Sequence, residues 1–124
     1  MDILHTAVWV DELDDQLAFY ESLFSITETR RFEGPDGALN VFIAGESDTE
    51  LQFKYDEEAS ITVDPGTYDH VAVPVDSVDE TIKAATSEWD SSVVSGPMNL
   101  DDLGVRIAFI TDPAGYHVEI IESR

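Results

Sequence analysis

The chain contains no cysteine and very few basic residues, and both absences narrow what it can do. Without cysteine, a disulfide framework, a thiolate nucleophile and a cysteine-ligated zinc site are excluded. Lysine and arginine together number only 6, so the chain lacks the basic patch that a phosphate backbone requires. We therefore expect no nucleic-acid partner.

Long apolar segments are also missing. The sequence has no run of the roughly 18 apolar residues that a transmembrane helix needs. Its start, Met-Asp-Ile-Leu-His, has neither the basic nor the apolar region of a signal peptide. Together with the lack of cysteine, these features predict a cytoplasmic protein without a membrane partner.

Acidic residues are in large excess. The 27 aspartates and glutamates give a formal net charge of −21, and they are spread along the chain rather than gathered in a tail. Such self-repulsion strains a compact domain in dilute buffer, but a Debye length of roughly 3 Å at 1 M salt screens it. We therefore expect a protein from a halophilic organism. An acidic face for a basic partner is the weaker alternative, because no acidic block stands out.

Two similar segments about half a chain apart organise the sequence. Leu4-His5-Thr6-Ala7-Val8 and Asp69-His70-Val71-Ala72-Val73 each start a strand-like run, and the two histidines are 65 residues apart. After each run, apolar residues recur at i, i+4, i+7 and i+11, which predicts a helix. These stripes are Leu13, Leu17, Tyr20 and Phe24 in the first half, and Val78, Ile82, Ala85 and Trp89 in the second.

Turn signals divide the remainder of each half into three further strands, so both halves read β-α-β-β-β. This pattern predicts an α+β fold of two tandem βαβββ modules. A single domain, 1–124, is expected to contain modules at about 1–56 and 67–124, joined by a polar linker, 57–66. The segment 95–102, rich in Gly, Pro and Asn, is expected to be a loop long enough to form a lid.

Strand alternation places the candidate site residues on one side of each sheet. Where a strand packs on a helix, alternate side chains face the helix and the others point away. The apolar sets face the helices, so one histidine and one glutamate per half lie on the opposite side: His5, Glu50, His70 and Glu119. Two imidazoles and two carboxylates suit a divalent first-row metal such as Ni, Zn, Co, Mn or Fe.

Other polar residues are expected to stay outside the site. Gln16, with the acids around it, is predicted to lie on the solvated face of the first helix. Glu122 has the opposite parity to Glu119 and is predicted to be a solvated charge near the C-terminus. The arginines Arg30, Arg31 and Arg106 are expected to form ordinary ion pairs, although they can also hold an anionic substrate.

With these motifs the chain resembles the vicinal oxygen chelate superfamily of glyoxalases, bleomycin resistance proteins and dioxygenases, and within it glyoxalase I, or lactoylglutathione lyase. The resemblance spans nearly the whole chain, and the stretch from Asp112-Pro113-Ala114-Gly115 to Glu119 marks the superfamily. Glu50 narrows the resemblance to glyoxalase I. Dioxygenases and thiol transferases of the superfamily typically lack this carboxylate, and epimerases commonly carry glutamine there. The matching motifs are Leu4-His5-Thr6, Glu50-Leu51, Asp69-His70-Val71-Ala72 and Asp112–Glu119.

The resemblance implies a metal-dependent isomerisation that detoxifies 2-oxoaldehydes such as methylglyoxal. The aldehyde and a low-molecular-weight thiol form a hemithioacetal, which becomes a 2-hydroxyacyl thioester. The resemblance makes His5, Glu50, His70 and Glu119 the ligands, with nickel as the first choice of metal. Glu119, or Glu50 for the opposite stereoisomer, is the implied base. It further implies curved, mixed sheets around a metal site, and a homodimer whose site is shared across the interface.

Two positions depart from the glutathione-using members. Trp9 stands where many carry an arginine, and Lys54 where they often carry an asparagine. These residues and Met98 of the expected lid are candidate substrate-binding residues, with core or lid packing the alternative for Trp9 and Met98. The thiol is therefore expected to differ from glutathione. An epimerase, an extradiol dioxygenase, a thiol transferase and a non-catalytic small-molecule-binding or resistance protein are the alternative functions.

Overall fold

The structure, a computed structural model, describes residues 1–59 and 61–124. Its elements follow the order β-α-β-β-β twice, which confirms the predicted α+β tandem architecture. The first set is β1 (His5–Trp9), α1 (Leu13–Phe24), β2 (Thr27–Glu33), β3 (Leu39–Ala44) and β4 (Glu50–Tyr55). The second set is β5 (Val71–Pro74), α2 (Val78–Glu88), β6 (Val93–Leu100), β7 (Val105–Thr111) and β8 (His117–Ser123), with a short 3-10 helix, Asp101–Leu103, between β6 and β7.

Each set of strands forms a four-stranded mixed sheet. The order is β1-β4-β3-β2 in the first sheet and β5-β8-β7-β6 in the second. In each sheet the first strand pairs in parallel with the last, and the other neighbours are antiparallel. The parallel pairing follows from the helix, because a helical crossover returns the chain in the same direction.

The chain divides into two compact units, Met1–Val63 and Asp64–Arg124. The division falls within the predicted linker, 57–66. Of that segment, residues 57–59 and 61–66 lie in neither helix nor strand, and residue 60 lies outside the described residues. Across the described part of the chain, neither helix has the length and apolar character of a membrane span.

In the first unit, α1 packs on the face of the sheet that carries the apolar alternation. Tyr20 of α1 contacts Phe53 of β4, with ring centroids 5.8 Å apart, and Val41 is fully buried on the same face. One prediction was wrong here, because Gln16 is fully buried rather than solvated. It lies three residues after Leu13 and four before Tyr20, and this spacing places it inside the apolar stripe despite its polar side chain.

In the second unit, α2 is fixed at its start from two directions. Ser77 caps the helix by accepting a hydrogen bond from the Glu80 N–H at 3.2 Å. Glu122 of β8 accepts a second bond from the Val78 N–H at 2.8 Å. The prediction of a merely solvated Glu122 was therefore wrong. Its opposite parity to Glu119 brings it to the helix, where its charge meets the positive end of the helix dipole.

The predicted lid is a strand. Residues 95–100 belong to β6, which pairs with β7 through register shifts on both sides of Ser95. The Gly-Pro signal that suggests a loop is accommodated as a bulge. Gly96 has φ +85°, and an added Cβ would lie 2.8 Å from the Ile107 carbonyl oxygen, so only glycine fits this close approach.

Candidate metal centre

The first candidate pair lies on adjacent parallel strands. His5 of β1 stands directly opposite Glu50 of β4. Because Phe53 faces α1, the alternation of β4 points Glu50 to the other side of the sheet, as predicted. The His5 ring contacts the Phe42 ring nearly perpendicularly, with centroids 5.3 Å apart. Phe42 is fully buried and so limits where the imidazole can turn.

Both carboxylate oxygens of Glu50 are already bonded within the unit. Thr29 Oγ1 donates to Oε2 at 2.6 Å, and Arg30 Nη2 lies 3.2 Å from Oε1. The Thr29 hydrogen bond is the first cause of a lowered Glu50 pKa, and the Arg30 contact adds to it against the opposing effect of burial. Glu50 is thus held as a carboxylate at an ordinary pH.

A buried amide pair lies on the same face of the first sheet. Gln52 Nε2 donates to Asn40 Oδ1 at 2.7 Å, and Asn40 Nδ2 donates to the Ala38 carbonyl oxygen at 3.1 Å. Gln52 is two residues beyond Glu50 and stands opposite Ala7. These bonds stabilise the floor beside Glu50, since a buried amide without partners is costly.

The second candidate pair is in direct contact. His70 Nε2 lies 3.3 Å from Glu119 Oε1, and His70 Nδ1 lies 2.6 Å from Asp69 Oδ2. When Nδ1 carries the proton, it donates to Asp69 and leaves Nε2 with a free lone pair beside Glu119. A carboxylate on the far nitrogen is the usual way in which proteins orient a metal-binding imidazole.

The two pairs are similar but not equivalent. Each histidine contacts one phenylalanine edge to face, because His70 lies 5.2 Å from Phe109 much as His5 lies by Phe42. Their registers differ, however. Glu119 stands opposite Ala72, two residues beyond His70, whereas Glu50 stands opposite His5 itself. By register the counterpart of Glu119 is Gln52, so the two glutamates reach their histidines along different directions.

The Asp-Pro-Ala-Gly turn that joins β7 to β8 fixes where Glu119 comes. The buried Asp112 side chain accepts hydrogen bonds from the Ala114 and Tyr116 N–H groups at 3.0 and 2.9 Å. The Asp112 N–H donates to the Tyr116 carbonyl oxygen at 2.9 Å, and Gly115 takes φ +91°. The Asp112–Gly115 turn therefore determines the register of β8, and with it the position of Glu119.

Trp9 and Lys54 stand opposite each other at the far end of β1 and β4. Lys54 Nζ lies 4.8 Å from the centre of the Trp9 ring and 2.8 Å from Asp36 Oδ2. The carboxylate neutralises the lysine, and the ring offers a cation–π contact. The Lys54 contact also lowers the Asp36 pKa, with a smaller contribution from the Ala38 N–H.

Met98 lies in β6 opposite Ile107 of β7, with its side chain partly exposed. Ile107 is two residues before Phe109 in β7 and so shares the face of the Phe109–Glu119 row. Met98 is therefore on the face of the second candidate pair, but on a strand and not on a lid.

The donor geometry of the second pair suits a metal ion. Two ligand atoms about 2.1 Å from one octahedral metal lie roughly 3 Å apart, close to the 3.3 Å between His70 Nε2 and Glu119 Oε1. In the first pair, hydrogen bonds occupy one site on each Glu50 oxygen and leave further lone pairs. Within residues 1–59 and 61–124, no group of three or more His, Asp or Glu is close enough to hold a metal. Each unit thus presents two of the four predicted ligands.

Two residues of these surroundings, Asp69 and Thr29, went unnoticed in the sequence, and Arg30 was expected to form an ion pair but not with a candidate ligand. Asp69 adjoins His70 in the quoted motif, and this position was the available signal. Thr29 and Arg30 give no signal by alternation, because a register shift in β2 between Glu28 and Arg30 brings two consecutive side chains to one carboxylate. The other ion pairs are as predicted: Arg31 contacts Glu28 at 2.6 Å, and Arg106 contacts Asp79 at 3.0 Å.

Comparison with known proteins supports the same grouping. The lactoylglutathione lyase of Haemophilus influenzae is 30% identical over 129 residues, covering 100% of this chain and 94% of that protein. The lactoylglutathione lyase of Neisseria meningitidis is 31% identical over 132 residues, covering 100% and 92%. Among solved structures, the trypanothione-dependent glyoxalase I of Leishmania major superposes with a TM-score of 0.80 at 25% identity, covering 98% of this chain and 86% of that one.

The family assignment rests on nearly the full length. The sequence profile of the Glyoxalase/Bleomycin resistance protein/Dioxygenase superfamily matches residues 2–120. The matched region covers both βαβββ sets except the last three residues of β8, and it includes all four candidate ligands and the Asp112–Gly115 turn. The resemblance found in the motifs is therefore confirmed, and the chain belongs to the Glyoxalase/Bleomycin resistance protein/Dioxygenase superfamily.

Proposed function

We propose that this protein is a metal-dependent, glyoxalase I-like lyase that converts the hemithioacetal of a 2-oxoaldehyde into a 2-hydroxyacyl thioester and so detoxifies methylglyoxal. The contact of His70 Nε2 with Glu119 Oε1, with Asp69 on the other ring nitrogen, carries the proposal. This contact supplies an oriented imidazole beside a carboxylate. A metalloenzyme needs such a pair, whereas a purely apolar binding cleft does not need one. The full-length relatives in Haemophilus and Neisseria, both lactoylglutathione lyases, support the same reaction.

His5, Glu50, His70 and Glu119 are the proposed ligands of a divalent metal, with nickel as first choice and zinc, cobalt, manganese or iron as alternatives. When bound, the metal supplies Lewis-acid polarisation of two adjacent substrate oxygens. We propose that the chain acts as one domain and as a homodimer in which each site takes one pair from each copy. A monomer at the salt concentration that supports activity, measured by light scattering, would contradict the shared site.

The proposed base is Glu119. Base strength requires a carboxylate that is not already committed to strong donors, and Glu50 is bonded at both oxygens by Thr29 and Arg30. The lowered pKa of Glu50 also makes it a weaker base. Glu119 is thus proposed to take the substrate C–H proton and return it to the neighbouring carbon, while Glu50 remains a ligand.

The proposed thiol is not glutathione. Lys54 is already paired with Asp36 at 2.8 Å and its ammonium group lies over the Trp9 ring, so a substrate carboxylate must displace Asp36 to reach it. We propose Trp9, Lys54 and Met98 as substrate-binding residues and a shorter γ-glutamyl thiol as the partner of the aldehyde. The cytoplasmic location stays a prediction.

The test is thioester formation from methylglyoxal and a panel of thiols, at about 1 M salt with added Ni²⁺. We expect the wild type to form thioester with at least one thiol, and Glu119→Gln to lose about 10²- to 10⁴-fold in kcat. Glu46→Gln, in the exposed turn before β4, is the matched control and should keep full activity. No product with any thiol would overturn the proposal. Bound metal without turnover would favour another metalloenzyme of the superfamily or a binding protein.

A further inference from the structure

The two donors on Glu50 hold it with unequal strength. The Thr29 Oγ1 to Oε2 distance of 2.6 Å is typical of a short O–H bond to a carboxylate. The Arg30 Nη2 to Oε1 distance of 3.2 Å exceeds the roughly 2.7–2.9 Å of a strong guanidinium–carboxylate bond, and it is a single contact rather than a bidentate pair. The hydroxyl therefore holds the carboxylate firmly, whereas the guanidinium does so weakly.

Solvent exposure sharpens this contrast. The Arg30 side chain is 53% exposed, while that of Glu50 is 17% exposed. An exposed ion pair is weak and salt screens it further, which matters in a chain with a net charge of −21. Arg30 also makes a second favourable contact, because its guanidinium carbon lies 3.9 Å from the centre of the Phe42 ring. It can leave Glu50 without losing this cation–π contact.

The two donors differ in charge, because the hydroxyl is neutral and the guanidinium is positive, and this difference decides what each does when a metal cation binds. A hydroxyl bonded to one oxygen fixes the carboxylate and leaves lone pairs free for a metal. A guanidinium is itself a cation, so it repels the metal and competes for the same oxygens.

We propose, on the basis of the metal site proposed above, that Thr29 positions Glu50 for the metal and that Arg30 is a counter-ion that the metal displaces. Thr29 strengthens metal binding, and Arg30 weakens it while neutralising Glu50 in the metal-free protein. The device belongs to the first unit. At the register position that corresponds to Arg30, next to Phe109, the second sheet carries Ser95.

The test is Ni²⁺ binding to the metal-free protein by titration calorimetry at about 1 M salt. Thr29→Val should weaken binding by about 10- to 100-fold, as expected when a hydrogen bond to a ligand is lost. Arg30→Gln should strengthen it by roughly threefold, because a weak competing ion pair is removed. Arg30→Lys keeps the charge and should remain near wild type. The absorption spectrum of the Co²⁺-loaded protein should change with Thr29→Val, because the ligand field at Glu50 is altered.

Two matched variants serve as controls. Arg31→Gln removes the same charge from the next residue, whose partner is Glu28, and Thr27→Val repeats the other change in the same strand. Both should leave the dissociation constant at the wild-type value. Equal tightening by Arg31→Gln and Arg30→Gln, or effects of the same sign for Thr29→Val and Arg30→Gln, would overturn the inference. If Thr29→Val fails to fold, Thr29→Ser should bind like wild type and Thr29→Ala should bind weakly.

Glu50→Gln separates this inference from the proposed function. If that variant binds Ni²⁺ like wild type, Glu50 is not a ligand, and the four-ligand site fails together with the inference. If it binds weakly but Thr29→Val and Arg30→Gln do not diverge, only the inference fails.

Discussion

At the scale of single residues, the molecule gives two glutamates of similar sequence context quite different surroundings. Glu50 is bonded by a threonine and an arginine, and Glu119 meets a histidine. The folded-state environment of a carboxylate decides whether it acts as a fixed anion or as a group that exchanges protons. This difference assigns separate tasks to the two side chains.

The Glu50 pKa is lowered first by the Thr29 hydrogen bond, so its contribution to stability has a defined sign. The contribution is present above the pKa of the unfolded chain and is lost as the pH falls through the lower folded value. In the metal-free protein, an NMR titration of the Glu50 carboxyl carbon should therefore have a midpoint below that of an ordinary glutamate. Thr29→Val should raise this midpoint, and an unchanged midpoint would contradict the assigned cause.

Asp69 acts on the metal site through His70. Its carboxylate lies 2.6 Å from Nδ1, and Asp69→Asn weakens this acceptor without a large change of shape. We expect the Ni²⁺ affinity to fall by about 10- to 100-fold. Asp76→Asn, an exposed acid just beyond the other end of β5, changes the net charge equally and should have no such effect. Calorimetric titration of both variants compares them directly.

The sequence predicts single residues well where alternation is unbroken. The parity of β1 and β4 suffices to place His5 and Glu50 on one face, and that prediction is confirmed. It fails at Thr29 and Arg30, because a bulge in β2 lets neighbouring side chains reach the same group. It also fails at Gln16, where position in the helical stripe outweighs the polarity of the side chain. Hydrophobicity patterns report neither effect.

At the scale of elements, tight turns set the registers on which the candidate site depends. The Asp112 side chain accepts hydrogen bonds from two backbone N–H groups, and the Asp112 N–H donates a third bond. This one buried residue therefore organises the whole β7–β8 turn. The position of Glu119 relative to His70 follows from this register. An element-level change far from any ligand therefore reaches the site.

Asp112→Ala should lower the free energy of unfolding by about 1–3 kcal/mol, because it leaves buried N–H groups without an acceptor. Chemical denaturation in about 1 M salt measures the change. Asp102→Ala, on the exposed 3-10 helix, is the matched control and should change the stability by no more than about 0.5 kcal/mol. Equal stabilities of the two variants would show that the turn bonds contribute little.

The sequence predicts elements better than their roles. The order β-α-β-β-β in each half is confirmed, because turn residues and helical stripes mark the elements clearly. Residues 95–100 were the failure. Gly96 and Pro97 are typical of a loop, and only pairing with β7 shows that a bulged strand accommodates them.

At the scale of the whole molecule, charge dominates. Five of the six lysine and arginine side chains form ion pairs with carboxylates in the described part of the chain: Arg30, Arg31, Lys54, Arg106 and Arg124. The 27 acids far outnumber these cations, so most of the negative charge is not neutralised by lysine or arginine. Repulsion among them opposes folding unless salt screens it.

Stability should therefore rise with ionic strength. Between about 0.1 and 2 M KCl, where the Debye length falls from roughly 10 Å to below 3 Å, we expect the Tm to increase steadily. Sucrose at matched osmolality, which leaves charges unscreened, should raise the Tm less. A Tm that stays constant or falls in KCl would contradict the halophilic interpretation. Differential scanning calorimetry measures both series.

The phenylalanine next to each candidate histidine ligand makes that histidine easy to follow by NMR. The ring pairs His5–Phe42 and His70–Phe109 have nearly the same geometry, with interplanar angles of 85° and 88°. Ring currents displace the imidazole proton resonances in such arrangements, and the chain has only 3 histidines to assign. A one-dimensional proton spectrum recorded during metal addition needs no isotope label. It can therefore show whether His5 of the first unit or His70 of the second responds first.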